Sequence, residues 1–283
     1  MKSTSLLPGV IISAFVANGC ASIAVPDDSV KLATFNIRCP VDASPNSWEE
    51  RKERCRRIIQ NNKLDIFGVQ EAHLTQINDL LENTNYSFIG AGRSDFKNTG
   101  EFSAILYDKN RFEIIKSGTF GLSETPDIPG CKSWGAAYPR IATFGLFRDR
   151  ISGKKFIYYN THLDHVSSLA RVNGIKLLLE HASENAKGLP LIITGDFNAR
   201  PNSAVYKIAN SILKDSAIVS LTPHQGPLQS FNNYGKSKSK NPIDFIFVSE
   251  EFTVYSHKND NTLINGMYPS DHFPVIAELS ITK

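Results

Sequence analysis

The sequence predicts an α/β fold in which two β-sheets pack face to face with helices outside them. Three observations carry that expectation. Short runs rich in β-branched and aromatic residues recur along the chain, and several have no polar face. Such strands are buried on both sides, so helices must cover the sheets. The stretch 86–160 is strand after strand, unlike the strict alternation of a doubly wound sheet.

In chain order, the first element is a leader. Met1-Lys2 precedes an apolar stretch from Leu6 to Ala17, broken by Pro8, Gly9 and Ser13. It is too short to span a bilayer as a mature anchor and suits a secretory signal over 1–24. Two processing sites compete. Ser22-Ile23-Ala24 offers small residues for cleavage after Ala24, whereas Ala17-Asn18-Gly19-Cys20 resembles a lipoprotein box that would put a lipid anchor on Cys20. Export is the expectation, whether periplasmic, secreted or lipid-anchored in the envelope.

From 28 to 283 the chain holds no linker, repeat or low-complexity tract, so one domain is the simplest parse. Strands are expected at 31–37, 65–70, 102–107, 141–147, 155–160, 190–194, 243–248 and 274–281. Helix 48–61 follows Ser47, has Glu49 and Glu50 in its first turn, and sets Trp48, Cys55, Ile58 and Ile59 on one side. Helices at 74–81 and 167–186 complete the cover. Segments 123–133 and 223–241, rich in turn residues, predict long surface loops.

Composition narrows the classes. Of 283 residues, 41% are apolar and 10% aromatic, which excludes a disordered or fibrous chain. A formal charge of +3 argues against a basic coat for nucleic acid while leaving room for a local groove. The four cysteines show no CxxC spacing, so no zinc site is indicated; a Cys39–Cys55 disulfide stays open. His73, His181, His224 and His257 are expected at the surface, as are Arg51, Lys52, Arg54, Arg56 and Arg57 on a solvated helix face.

Polar groups able to hold a metal and a phosphate recur at strand ends. They are Asn36 in Thr-Phe-Asn-Ile, Glu71 after Gly-Val-Gln, and His162, Asp164 and His165 in Asn-Thr-His-Leu-Asp-His. Asp196 and Asn198 stand in Gly-Asp-Phe-Asn, Asp244 in Pro-Ile-Asp-Phe, and Asp271 and His272 in Ser-Asp-His-Phe-Pro-Val. Each borders an apolar run, and a buried charge demands a partner or a cation. Gly195 suits close backbone approach, letting Asp196 and Asn198 project into one pocket.

Together and in this order, the six segments resemble the endonuclease/exonuclease/phosphatase superfamily over Lys31 to Lys283. The Tyr138-Pro139-Arg140 and Asn160-Thr161-His162-Leu163 wording is most similar to the deadenylase-like branch and its exported bacterial relatives. The resemblance implies a four-layer sandwich with the active site at one rim. It also implies a Mg²⁺ site, with Mn²⁺ as a substitute, at Glu71 with Asn36 and Asp271. Asp196 would orient or deprotonate water, with Asn198 as its partner on the phosphate. His272 would contact the phosphoryl oxygen, held by Asp244, and His162 would be a second phosphate contact. Glu101 is matched to a group that orients His162. Arg140, Asp164 and His165 are expected to bind substrate. Where some relatives carry an acidic ligand, this chain has Arg38, which puts a second metal in doubt.

The chemistry suits that cast. A phosphate ester repels hydroxide, so a hard cation, a hydrogen-bonding imidazole and a carboxylate beside the water each lower the barrier. The expected activity is phosphoester hydrolysis, first as a 3′–5′ exonuclease on single-stranded RNA. The alternatives are a small-molecule or lipid phosphatase and a binding protein on a decayed scaffold. No stable protein partner is implied, and a monomer is expected. With no long basic stripe, the substrate footprint should be short.

Overall fold

The computed structural model describes residues 23–282. The leader and Cys20 lie outside the described residues. The first half of the chain runs β1 (Val30–Asn36), α1 (Trp48–Asn62), β2 (Ile66–Gln70), α2 (Leu74–Leu81), β3 (Tyr86–Ile89), β4 (Ile105–Asp108) and β5 (Phe112–Gly121). It continues through β6 (Ile141–Asp149), β7 (Lys155–His162), α3 (Ser168–Ala186), β8 (Leu191–Asp196) and α4 (Ala204–Ile212). The last elements are β9 (Lys214–Asp215), α5 (Ser216–Val219), β10 (Asp244–Val248), β11 (Phe252–Asn259) and β12 (Val275–Ile281). The sequence reading lacked β3, β5 and β11, whose half-exposed faces leave weaker apolar runs.

Two six-stranded sheets result, ordered β11-β12-β1-β2-β4-β3 and β5-β6-β7-β8-β10-β9. Alternation along each central strand explains the layers. In β1, Leu32 joins Ile66, Phe147, Tyr158 and Ile246 between the sheets. Ala33 and Phe35 face the other way, against Trp48, Cys55 and Ile77 of α1 and α2. In β10, Ile246 and Val248 point between the sheets, while Phe245 and Phe247 pack with Leu178 of α3 and Val205 of α4. Three apolar layers therefore separate four layers of structure, as the strands without a polar face require.

Asn160 pins the sheets together. Its amide donates to the carbonyls of Val69 and Ala104 at 2.9 Å each, and its oxygen accepts from Gln70 at 2.7 Å. Gly68 makes room for it, since a Cβ there would lie 2.4 Å from Asn160.

Several expectations fail. Arg51 is fully buried, not solvated: it donates to the carbonyls of Ile37, Arg38, Asn46 and Pro269. Those loop carbonyls have no ladder partner, so one guanidinium with five donors meets the need. Arg54 is likewise buried and donates to Pro45. His257 is buried against His224 rather than exposed. The disulfide left open between Cys39 and Cys55 is not formed; Cys55 lies in the core as its place on the helix implied, and its thiol donates to the Pro269 carbonyl. The 223–241 loop is not wholly superficial, because buried Ser230 accepts the N–H groups of Ile243 and Asp244.

Candidate active site

Each sheet contains one parallel pair, β1 with β2 and β7 with β8. Their carboxyl ends share a rim, where Asn36 of one sheet bonds Asp196 of the other at 3.1 Å. β2 leads directly into Glu71, which takes a left-handed φ of 59°. β10 begins at Asp244, opposite Asp196, and Asp271 and His272 lie just ahead of β12. Gly195 permits the β7–β8 approach, since a Cβ there would lie 2.2 Å from the Thr161 carbonyl.

Asp244, His272 and Asp196 form a buried line. His272 Nδ1 lies 2.8 Å from Asp244 Oδ2, and its Nε2 lies 3.8 Å from Asp196 Oδ2. Burial opposes a charged imidazole, but the Asp244 carboxylate outweighs it, with Asp196 and Asp271 adding. His272 is pushed up to about 10 and is a proton donor at neutral pH. Burial first, then the Asp244 charge, raise Asp196 to about 7, against His272 and the bonds from Asn198 and Asn36. A carboxylate near neutral pH suits a proton acceptor. The Asn198 N–H holds Asp196 Oδ1 at 2.9 Å.

His162 stands beside this line, its Nε2 3.6 Å from Asp196 Oδ2. The Asn198 amide spans the His162 Nε2 at 3.1 Å and the Leu163 carbonyl at 3.0 Å. It donates to both, which leaves the imidazole proton on Nδ1, buried without a partner. Burial and then the nearby Arg140 charge push His162 well below its ordinary value, so the ring is neutral.

Across the cleft, Glu71 is mostly buried. Its Oε1 accepts from the Asn36 amide at 3.0 Å and its Oε2 from the Cys39 N–H at 3.2 Å. Burial works to raise this carboxyl, but Asn36, the His272 charge, Cys39 and Arg38 together hold it below the usual range. Asp271 instead is raised, by burial first. Both carboxylates line one cleft of about 790 Å³ together with Asn198, His162 and His272. Oxygen donors of this kind fit a hard divalent ion. Asn36, expected among the metal ligands, sits between the two carboxylates: its oxygen accepts the Arg38 N–H at 3.0 Å and its amide donates to Glu71 and Asp196. Asp196, Asp244 and His272 also bring one donor atom each within 4.8 Å of one another. That trio is an ion-paired acid–base line, since the imidazole proton already bridges to Asp244.

The other expected site residues divide between the cleft and the rim beneath it. Glu101 lines the cleft but pairs with Arg93 at 2.7 Å, not with His162. The backbone bond from Arg93 N–H to the Glu101 carbonyl sets the two side by side. Asp164 is buried under the rim and accepts from the N–H groups of Ala137, Val166 and Ser167 and from Arg140. It ties a turn. Arg140 is buried on Asp164 and on His165 Nδ1, 3.0 Å away, while its Nη1 is buried without a partner. His165 does reach the cleft, stacked 5.9 Å from the half-exposed ring of Tyr138. The Arg93 guanidinium lies 4.9 Å from the same ring. Sequence reasoning missed Arg93 and Phe231 on the cleft wall, because neither adjoins a strand-end motif, and Cys39, which follows one but carries no charge.

Comparison with known proteins agrees with this geometry. The model of the Endonuclease/Exonuclease/phosphatase family matches residues 33–272. Human Nocturnin is 26% identical over 275 residues, covering 87% of this chain and 61% of Nocturnin. The chain thus spans about three fifths of the curated relatives it matches. The structure of an endonuclease/exonuclease/phosphatase family protein from Bacteroides thetaiotaomicron is 36% identical with a TM-score of 0.83, over 89% of this chain and 97% of that one. A mannosyl-6-phosphatase from the same organism is 35% identical, with a TM-score of 0.83 over 89% and 99% of the two chains. Motif order, two-sheet architecture and a rim of paired carboxylates and histidines lead to one conclusion: the chain belongs to the endonuclease/exonuclease/phosphatase family.

Proposed function

We propose that the protein is a divalent-cation-dependent phosphoesterase that hydrolyses a small phosphate ester by in-line attack of water. The observation that carries this is the Asp244–His272–Asp196 line facing the Glu71 and Asp271 carboxylates across one cleft. His272, kept protonated by Asp244, donates Nε2–H to a non-bridging phosphoryl oxygen. Asp196 aligns the attacking water and accepts its proton, its two oxygens held by Asn198 and Asn36. Glu71 and Asp271 would hold Mg²⁺ or Mn²⁺, which supplies charge neutralisation at the phosphate and the departing oxygen. Neutral His162, fixed by Asn198, shapes the floor beside Asp196.

A small ester is favoured by the net charge of +3. The mannosyl-6-phosphatase relative supports the same choice. A 3′ end of single-stranded RNA is the second reading, favoured by the half-exposed Tyr138 ring, on which a base would stack. The apolar segment at 6–17 supports export of the activity.

The test is a panel with Mg²⁺ or Mn²⁺: sugar phosphates, inositol phosphates, sphingomyelin, single-stranded RNA and duplex DNA. We expect turnover on a phosphomonoester, abolished by chelator and by Glu71→Gln. Chelator-resistant hydrolysis, or a Glu71→Gln variant with unchanged metal response, would sink the assignment.

A further inference from the structure

Arg38 brings a fixed positive charge to the place where Glu71 and Asp271 converge. It holds a left-handed φ of 59°, which a side-chain-bearing residue keeps only when its surroundings enforce it. They do. Its N–H donates to Asn36 Oδ1, and its carbonyl accepts from the buried side chains of Arg51 at 3.0 Å and Gln76 at 2.9 Å. The guanidinium forks onto Asp42 through two bonds of 3.2 Å, and Asp42 is steadied by the Tyr234 hydroxyl at 2.8 Å. Nη1 then lies 3.6 Å from Glu71 Oε2, and Nε lies 3.9 Å from Asp271 Oδ2. Both are within ion-pair reach and beyond a good hydrogen bond. The group is anchored to Asp42 and only leans on the two cleft carboxylates.

We propose that Arg38 is a resident counter-ion that weakens cation binding at Glu71 and Asp271 until a phosphate group enters. A divalent ion on those carboxylates meets the guanidinium as a like charge, which lowers its affinity. The strapped backbone and the fork onto Asp42 keep the guanidinium beside the two carboxylates. An anionic phosphate placed between the two cations relieves the repulsion. Cation and phosphate therefore bind cooperatively, each raising the affinity for the other by the same factor. The cleft would be charged with metal mainly when substrate is present. This inference rests on the reading of Glu71 and Asp271 as the cation ligands.

The experiment is Mn²⁺ binding to the full mature chain, followed by electron paramagnetic resonance with and without inorganic phosphate. Wild type should bind Mn²⁺ at least ~5-fold more tightly with phosphate present. Arg38→Gln should bind Mn²⁺ more tightly than wild type without phosphate, with a smaller phosphate effect. Arg38→Lys, which keeps the charge, should stay close to wild type and controls for a disturbed fold. Arg38→Gln binding no more tightly than wild type, or Gln and Lys variants shifting alike, overturns the role of Arg38. Failure of wild type to bind Mn²⁺ at all overturns it together with the functional reading, whereas intact Mn²⁺-dependent turnover with a null Arg38 effect leaves that reading standing.

Discussion

His272 and His257 are each 5% exposed, yet one is charged and the other neutral. His272, beside Asp244, is pushed up to about 10, while His257 is pushed down to about 3. Burial acts on both in the same direction, against the imidazolium. The partner decides the outcome. At His272 a carboxylate 2.8 Å away outweighs desolvation. At His257 the neighbour is His224, Nδ1 to Nδ1 at 2.8 Å. His224 Nε2 lies 3.2 Å from the Pro227 carbonyl, which fixes its proton there and leaves its Nδ1 to accept from His257. Burial first, with His224 adding to it, holds His257 neutral. Two imidazoles of equal burial thus divide into a chemical group and a packing group.

The most damaging way to break the comparison is Asp244→Asn, which removes the charge but keeps the shape. Turnover should fall by about 10³-fold, within the usual span for an acid–base group, and His272 should lose its proton below its ordinary range in an NMR titration. Asp244→Asn with His272→Gln should be little worse than the worse single variant, because the pair acts as a unit. A His272 that stays charged at pH 7 in Asp244→Asn would show that its charge comes from elsewhere.

Asp196→Asn sharpens the other side of the line. It leaves the Asp244–His272 bond intact and should lower turnover at least ~10²-fold with unchanged unfolding temperature. Near wild-type turnover would remove Asp196 from the water-orienting role.

The smallest effect is expected at His257. Its folded value lies below the unfolded one, so the unfolded chain binds the extra proton. Stability is complete above about 6.5 and declines as pH falls toward about 3, with a slope of up to about 1.4 kcal/mol per pH unit. His257→Gln can still donate to His224 and should flatten that decline in urea unfolding between those limits. An unchanged pH dependence would place the acid sensitivity in other groups.

Much of this architecture is legible in the chain. Strands such as Ile66–Gln70 have no polar face, so they require cover on both sides. Strand-end carboxylates such as Asp196 and Glu71 stand out because a charge beside an apolar run needs a partner. The partners themselves are less legible. Arg51 sits on a helix among other basic residues, and its acceptor at Pro269 is 218 positions away. Glu101 finds Arg93 through a short local loop rather than His162 through the sheet. Asp164 repeats the strand-end pattern of a site residue but serves three N–H groups of its own turn and of Ala137.

By itself the sequence determined which residues must be buried and which polar groups end beside them, because side-chain period and apolar runs are local properties. Which of those groups carry charge was decided only by the tertiary structure. Asp244 and His272 are 28 positions apart, and Asn36 and Asp196 are 160 apart. The positive charge on His272 and its absence from His257 follow from contacts a few ångströms long, which exist only once the two sheets have closed on each other.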